Sequence, residues 1–188
     1  MTEFLLVRHG QTDWNVDERW QGHSDIPLNP AGLEQARRLA EKLAGQHFKA
    51  IYSSDLQRAT QTAEVIGTSL GLAYQTDPRL REINLGQWEG MLVSDVRLQF
   101  STAWEERQRN PLNARAPGGE TLPEVAARLE QAFNDIASTY PTGKVLVVSH
   151  GLAMKAMVCL ARRLPLGNAY TQPWDNATWQ VIEWPIED

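Results

Sequence analysis

The sequence has one cysteine, Cys159, in 188 residues. An internal disulfide is thereby excluded, as is a zinc cage built on several thiolates. Long apolar runs are also missing, and none approaches the roughly 18 residues of a membrane span. The opening stretch MTEFLLVRHG lacks a basic region followed by a long apolar segment and a small-residue cleavage site. No signal peptide is therefore expected, and the cytoplasm is the expected compartment. Positive charge is scarce too. Lys plus Arg total 18 against 23 acidic residues, a net charge of -5. That argues against a nucleic-acid or anionic-membrane face, but not against a small basic pocket. There is no internal repeat, low-complexity tract or linker, and a 42% hydrophobic content suits one domain spanning 1–188 with a real core. No GxxxxGK[ST] cradle, no HExxH and no Asp-x-Asp pair occurs, so a P-loop is excluded and neither a metal nor a cofactor is expected.

What is present is an alternation of short apolar runs with helical patterns, the mark of an α/β domain with a largely parallel sheet. Phe4-Leu5-Leu6-Val7 and Val145-Leu146-Val147-Val148 read as central strands, because a parallel strand is covered on both faces. Ala50–Tyr52 is a third strand, 72–76 a weaker one and 178–184 an alternating last one. Asn29-Pro30 opens a helix with Leu33, Ala36, Ala40 and Leu43 at helical spacing. Ser54 or Asp55 is expected to cap a second, with Leu56, Ala59, Ala63, Ile66 and Leu70 as its stripe. Thr121-Leu122-Pro123-Glu124 fits a capping box, opening a helix that buries Leu122, Val125, Ala126, Leu129, Phe133 and Ile136. Residues 152–163 form a further helix. Residues 9–29 read as a long loop, 80–90 as irregular, and 91–116 as a small helical cap inserted beside the site.

The two strongest strands end alike, in Arg8-His9-Gly10 and Ser149-His150-Gly151. In parallel α/β sheets ligands bind beyond the carboxyl ends of the strands, so two imidazoles are placed to face each other across one site. The plainer alternative is a pair of satisfied core histidines. Arg8 needs an anion there, since a guanidinium beside a buried strand end otherwise carries a large desolvation cost. Arg58, one turn into the helix after the Ala50–Tyr52 strand, points from the same edge, or is a solvated helix residue. Gly67-Thr68-Ser69-Leu70-Gly71 matches GxSxG, but it follows a helical stripe and precedes a weak strand, the reverse of a nucleophile elbow. Cys159 reads as a buried spectator, and the Asn176-Ala177-Thr178 sequon has no meaning in a cytoplasmic protein.

LLVRHGQTDWN at 5–15, the Trp20–Leu28 loop, Tyr52–Ala63, Leu80–Gly90, Pro117–Thr121 and Val147–Gly151 together resemble, in order, the motifs of the histidine phosphatase superfamily in its phosphoglycerate mutase-like branch. The resemblance implies a three-layer α/β/α sandwich with helices on both faces of the sheet. It implies that His9 is the nucleophile that becomes phosphohistidine, that Arg8, Arg58 and His150 bind the phosphoryl oxygens, and that Asn15, Gln21, Gly22 and Gly151 complete the pocket. It also implies that Glu82 is the general acid and base, and that the transfer needs no metal. His9 must be neutral to attack, so its other ring nitrogen is expected to donate to a carbonyl near the Gly10–Asn15 turn. Without the motif, Glu82 reads as a loop carboxylate paired with Arg79 or Arg81.

The same chemistry serves a phosphomonoester hydrolase or a mutase. The stretch after Glu82 resembles phosphatase members, and the mutase-type YGxLQGxNK and RRSYD-like stretches are absent, so a metal-independent phosphatase acting on a small phosphorylated metabolite is expected. Phosphoryl transfer between hydroxyls is the alternative, ahead of a catalytically silent binding protein and a serine hydrolase. Arg97, Arg107, Arg109 and Arg115 read as solvated faces of the cap, or as ligands for a second anionic group. Trp14, Trp20, Trp88 and Trp104 wall a substrate or form the cap's own core. Nucleotide-like esters such as α-ribazole phosphate and smaller metabolites both stay open. A homodimer paired along 178–184 is one expectation, a solvent-facing edge the other.

Overall fold

A computed structural model of the protein describes residues 1–171 and 173–185. Five strands, β1 (Thr2–Arg8), β2 (Ala50–Ser53), β3 (Tyr74–Thr76), β4 (Gly143–Ser149) and β5 (Trp179–Trp184), form one sheet in the order β3-β2-β4-β1-β5. The first four are parallel, and β5 lies antiparallel beside β1 as an outer strand. The helices are α1 (Asp13–Val16), α2 (Pro30–Leu43), α3 (Gln57–Leu70), α4 (Val93–Gln99), α5 (Ser101–Arg109), α6 (Leu122–Thr139) and α7 (Gly151–Ala161). None among the described residues is long and apolar enough to cross a membrane.

Alternation along the central strands builds two cores. Leu5, Val7, Leu146 and Val148 pack with residues of α2 and α3, while Phe4, Leu6, Val145 and Val147 pack with α6 and α7. The result is the expected three-layer sandwich. Because both faces of β1 and β4 are buried, a register slip of one residue would turn each side chain to the wrong layer. The register pairs Phe4 with Val145 and Arg8 with Ser149, so the two strand ends coincide and His9 and His150 emerge side by side.

Local signals explain most boundaries. Asn29 caps α2 through Gly32 N, with Pro30 at its first turn, and Thr121 and Glu124 form the reciprocal capping box of α6. The six residues expected on the α6 stripe are all buried. Three expectations need correction. Neither Ser54 nor Asp55 caps α3: the cap position is Leu56, which makes no side-chain cap bond. Ser54 Oγ is drawn instead to His150 and Asp55 to Arg81, while Asp25 from the preceding loop receives Gln57 N at 2.6 Å. The 9–29 segment is not wholly a loop, since Thr12 caps the short α1. Leu33 and Leu70 are only half-buried, with Leu39 taking the inner position in α2. Ser69 lies within α3 and Gly71 ends that helix at φ +67°, so no strand–serine–helix elbow exists.

Candidate active site

Both histidines and both arginines arrive at the carboxyl edge of the sheet. His9 and His150 lie with ring centroids 5.1 Å apart, and His9 N donates to Ser149 O at 3.0 Å, continuing the β1–β4 ladder. His9 Nδ1 meets Gly10 O at 2.7 Å. A carbonyl can only accept, so Nδ1 carries the hydrogen and Nε2 keeps its lone pair. The backbone at Gly10 is pressed so close to α2 that a Cβ there would sit 2.5 Å from Gly32 O. Only glycine lets the chain pass.

Arg58, 1% exposed, is the hub. Its Nε donates to His150 Nδ1 at 3.2 Å, Nη1 to Ser24 O at 2.7 Å and Nη2 to Gly22 O at 2.8 Å. Since Arg58 Nε can only donate, His150 carries its hydrogen on Nε2, which faces Ser54 Oγ at 2.8 Å. Both nitrogens of His150 are thus engaged by protein. In this structure His150, fully buried, braces Arg58 from behind and does not line the cavity. Gly22 adopts φ +52°, and a Cβ there would collide with Glu89 Oε1 at 2.2 Å, so the loop that feeds Arg58 its carbonyl also depends on a missing side chain.

Arg8 donates through Nη1 to Trp174 O, and its Nε is buried beside Gly151 with no partner among the described residues. That unspent donor is what an incoming oxyanion would take. Gln21 Oε1 is likewise buried without a partner. Asn15 commits its Oδ1 to Thr12 N, and Asn176 donates to His9 O at 3.0 Å. Arg8, His9, Asn15, Gln21, Gly22, Arg58, Glu82 and Gly151 all line one cavity of about 630 Å³. His150 alone of the expected set stands behind the wall.

Glu82 does not pair with Arg79 or Arg81. Arg79 is held by Asp77 and Asp135, and Arg81 by Asp55. Its carboxylate instead accepts from Leu152 N, Ala153 N and Ile83 N, each at 3.0 Å, and so caps the first turn of α7. Its carbonyl is fixed by Arg128 Nη2 at 2.7 Å and by His23 Nε2 at 2.8 Å. Arg128 also holds the carbonyls of Arg79 and Arg81 and pairs bidentately with Glu120. This clamp was not visible in the sequence, where Arg128 is one more charge on an amphipathic helix.

The cap segment divides its arginines. Arg109 and Arg115 are exposed and pair with Glu105 and Glu124, whereas Arg97 and Arg107 line the cavity. The tryptophans around the cavity and the cap divide as well. Trp88 is buried and packs with Trp20 and Trp104 at 6.2 and 6.3 Å, while Trp14, Trp20 and Trp174 line the cavity. Trp174, Tyr170 and Lys155 belong to the wall although nothing in their sequence context marked them. Among the described residues, no three His, Cys, Asp or Glu side chains gather to hold a metal ion.

Electrostatics keep both imidazoles neutral. Burial, reinforced by the positive charges of Arg58 and Arg8, holds His9 well below the ordinary imidazole value against the opposing Gly10 carbonyl. Burial followed by Arg58 does the same for His150. Because the folded state resists these protons more than the unfolded chain does, stability is complete above pH 6.5 and declines as pH falls below it. The slope is up to about 1.4 kcal/mol per pH unit for each histidine. Urea midpoints should hold from pH 7.5 to about 6.5 and fall from there to 5.5, and a profile flat throughout would contradict buried neutral imidazoles.

A family model described as histidine phosphatase superfamily (branch 1) matches residues 4–187. A curated relative from Proteus mirabilis (strain HI4320), named probable phosphoglycerate mutase GpmB, is 36% identical over 198 residues, covering 100% of this chain and 92% of its own. YhfR of Bacillus stearothermophilus superposes with a TM-score of 0.91 at 33% identity, over 97% of this chain and 91% of that one. A mycobacterial glucosyl-3-phosphoglycerate phosphatase in complex with VO3 superposes with a TM-score of 0.88 at 32% identity, over 95% of this chain and 90% of that one. A match of this extent reaches all five strands, both strand-end histidines and the cap between them, and the chain belongs to the histidine phosphatase superfamily, branch 1.

Proposed function

We propose that the protein is a metal-independent phosphomonoester hydrolase that works through a phosphohistidine on His9. The observation that carries this reading is the 2.7 Å contact of His9 Nδ1 with Gly10 O, which leaves the Nε2 lone pair for a cavity bordered by Arg8 and Arg58. Phosphoryl transfer asks chiefly for alignment and for neutralisation of charge on the equatorial oxygens. Two guanidiniums supply that charge without a metal. His9 Nε2 forms the bond to phosphorus as the ester oxygen leaves, taking a proton from Glu82. Water then attacks phosphohistidine, Glu82 receives its proton, and inorganic phosphate departs.

The name of the mycobacterial neighbour supports hydrolysis. Names of the curated relatives favour a second reading, a mutase that passes the phosphoryl group between hydroxyls. Phosphate release from a panel of phosphomonoesters in EDTA tests both. Release that survives chelation is expected, and phosphate that moves between the hydroxyls of phosphoglycerate without appearing free would establish the mutase. In the same assay Glu82→Gln should lose about 10²–10⁴-fold in turnover of alkyl esters. It should lose less in the first turnover of p-nitrophenyl phosphate, whose leaving group needs no proton. An equal loss with both esters would remove Glu82 from the acid's role.

A further inference from the structure

The charge on the cavity wall exceeds what a phosphoryl group needs. The chain as a whole carries a net charge of -5, yet Arg8, Arg19, Arg58, Arg97, Arg107 and Lys155 line this cavity against two carboxylates, Glu18 and Glu82. Arg8 and Arg58 belong to the phosphoryl end. Arg19 is occupied by Asp17 and by Gly90 O, and Arg97 lies exposed over the Trp104 ring. Arg107 and Lys155 remain. Both are half-buried, and neither makes an ion pair or a hydrogen bond with a described residue, although the Glu82 carboxylate across the same cavity favours the charge on each.

Arg107 is not a solvated residue that happens to fold inward. Its Cζ lies 5.1 Å from the Trp20 ring centroid and 4.9 Å from that of Tyr170. Flanking rings of that kind hold a guanidinium plane in place and leave its edge donors unspent. Lys155 sits one turn beyond Gly151 on α7, a rise of about 6 Å, which suits an anion a few atoms from the phosphorus. Burial works against the charge on each side chain, a cost that an incoming anion would offset.

Resting on the reading of this cavity as a phosphoryl site, we propose that Arg107 and Lys155 form a second anion subsite. The substrate is then a phosphomonoester whose alcohol part carries its own anionic oxygen group, a carboxylate or a second phosphate. Neutral alcohols and uncharged nucleoside-like leaving groups leave the subsite empty and are turned over poorly. The cavity's size leaves room for such a two-ended ligand, since pockets for small metabolites span roughly 300–1,000 Å³.

Phosphonates, which are not hydrolysed, test the subsite apart from the chemistry. By calorimetry the wild type should bind 3-phosphonopropionate, propane-1,3-bisphosphonate or both at least about 10-fold more tightly than propylphosphonate. Which of the first two wins tells carboxylate from phosphate. Arg107→Met and Lys155→Met should each shrink that advantage to within about 3-fold while leaving propylphosphonate affinity within about 2-fold. Equal affinity for all three probes in the wild type overturns the proposal. So does loss of propylphosphonate binding in parallel with the others in both variants. Phosphate release is scored separately. Release without discrimination sinks the subsite and keeps the hydrolase, whereas discrimination without release keeps the subsite and sinks the hydrolase.

Discussion

His9→Ala should abolish turnover, by at least about 10⁴-fold in kcat, while leaving the fold intact. The imidazole is 4% exposed and contributes one side-chain hydrogen bond, to the carbonyl of its neighbour Gly10. Its backbone amide, which extends the β1–β4 ladder to Ser149 O, survives the substitution. Removing a desolvated ring between two guanidiniums opens a small polar cavity that water can fill. The measurement is a quench of radiolabelled ester at alkaline pH, where phosphohistidine persists. Wild type should retain label and the variant none. Label retained in the variant would move the nucleophile elsewhere, and activity retained without any label would favour direct attack by water.

Arg58→Met should separate activity from stability. Burial pushes the Arg58 guanidinium down to about 10, with Glu82, Asp25 and Glu89 opposing that shift only in part. A depression of this size corresponds to a destabilisation on the order of 3 kcal/mol at neutral pH, because the unfolded chain holds that proton more readily. Against it stand three hydrogen bonds to Gly22 O, Ser24 O and His150, whose orphaned partners cost about 1–3 kcal/mol each where water does not reach them. Gly22, which carries one of the two carbonyls, lines the open cavity, so water can replace the guanidinium there. The melting temperature is therefore expected to hold or rise, while kcat/KM falls by about 10²–10³-fold or more through the lost charge on the equatorial oxygens. A drop in stability beyond about 2 kcal/mol in urea would mean that the loop contacts outweigh the desolvation.

The strand ends were legible because their signal is local. Continuous apolar runs fix β1 and β4, and a histidine followed by glycine at each end needs no distant information. The Thr121–Glu124 capping box was legible for the same reason. Arg107 was not. It lies on α5 among Glu105, Glu106 and Arg109, a context that reads as solvated until the helix is placed against Trp20 and Tyr170. Ser54 looked like a helix cap, yet its hydroxyl had a stronger claimant in His150 across 96 residues of chain. Asn176 looked like half of a sequon, and it tethers the His9 turn instead. In each case a polar residue's role was decided by a partner that only the tertiary fold supplies. For Arg8, by contrast, the expectation of an anion needs no distant information, since a charge next to a buried strand end is costly wherever the chain goes, and in the fold its Nε is buried without a partner among the described residues.

The order of the sheet has a consequence for how the protein is made. β4 is the strand that joins β1 to β2, and β1 pairs only with β4 and β5. As the chain leaves the ribosome, the segment carrying Arg8 and His9 comes first, and for some 130 residues more it has no strand to pair with. Its apolar run must wait, exposed on both edges, until Gly143–Ser149 arrives between it and Ala50–Ser53. A nascent chain halted before β4 would therefore hold His9 and Arg58 without His150, and β1 apart from the short β2–β3 pair, so the site and the sheet are completed by the same late event.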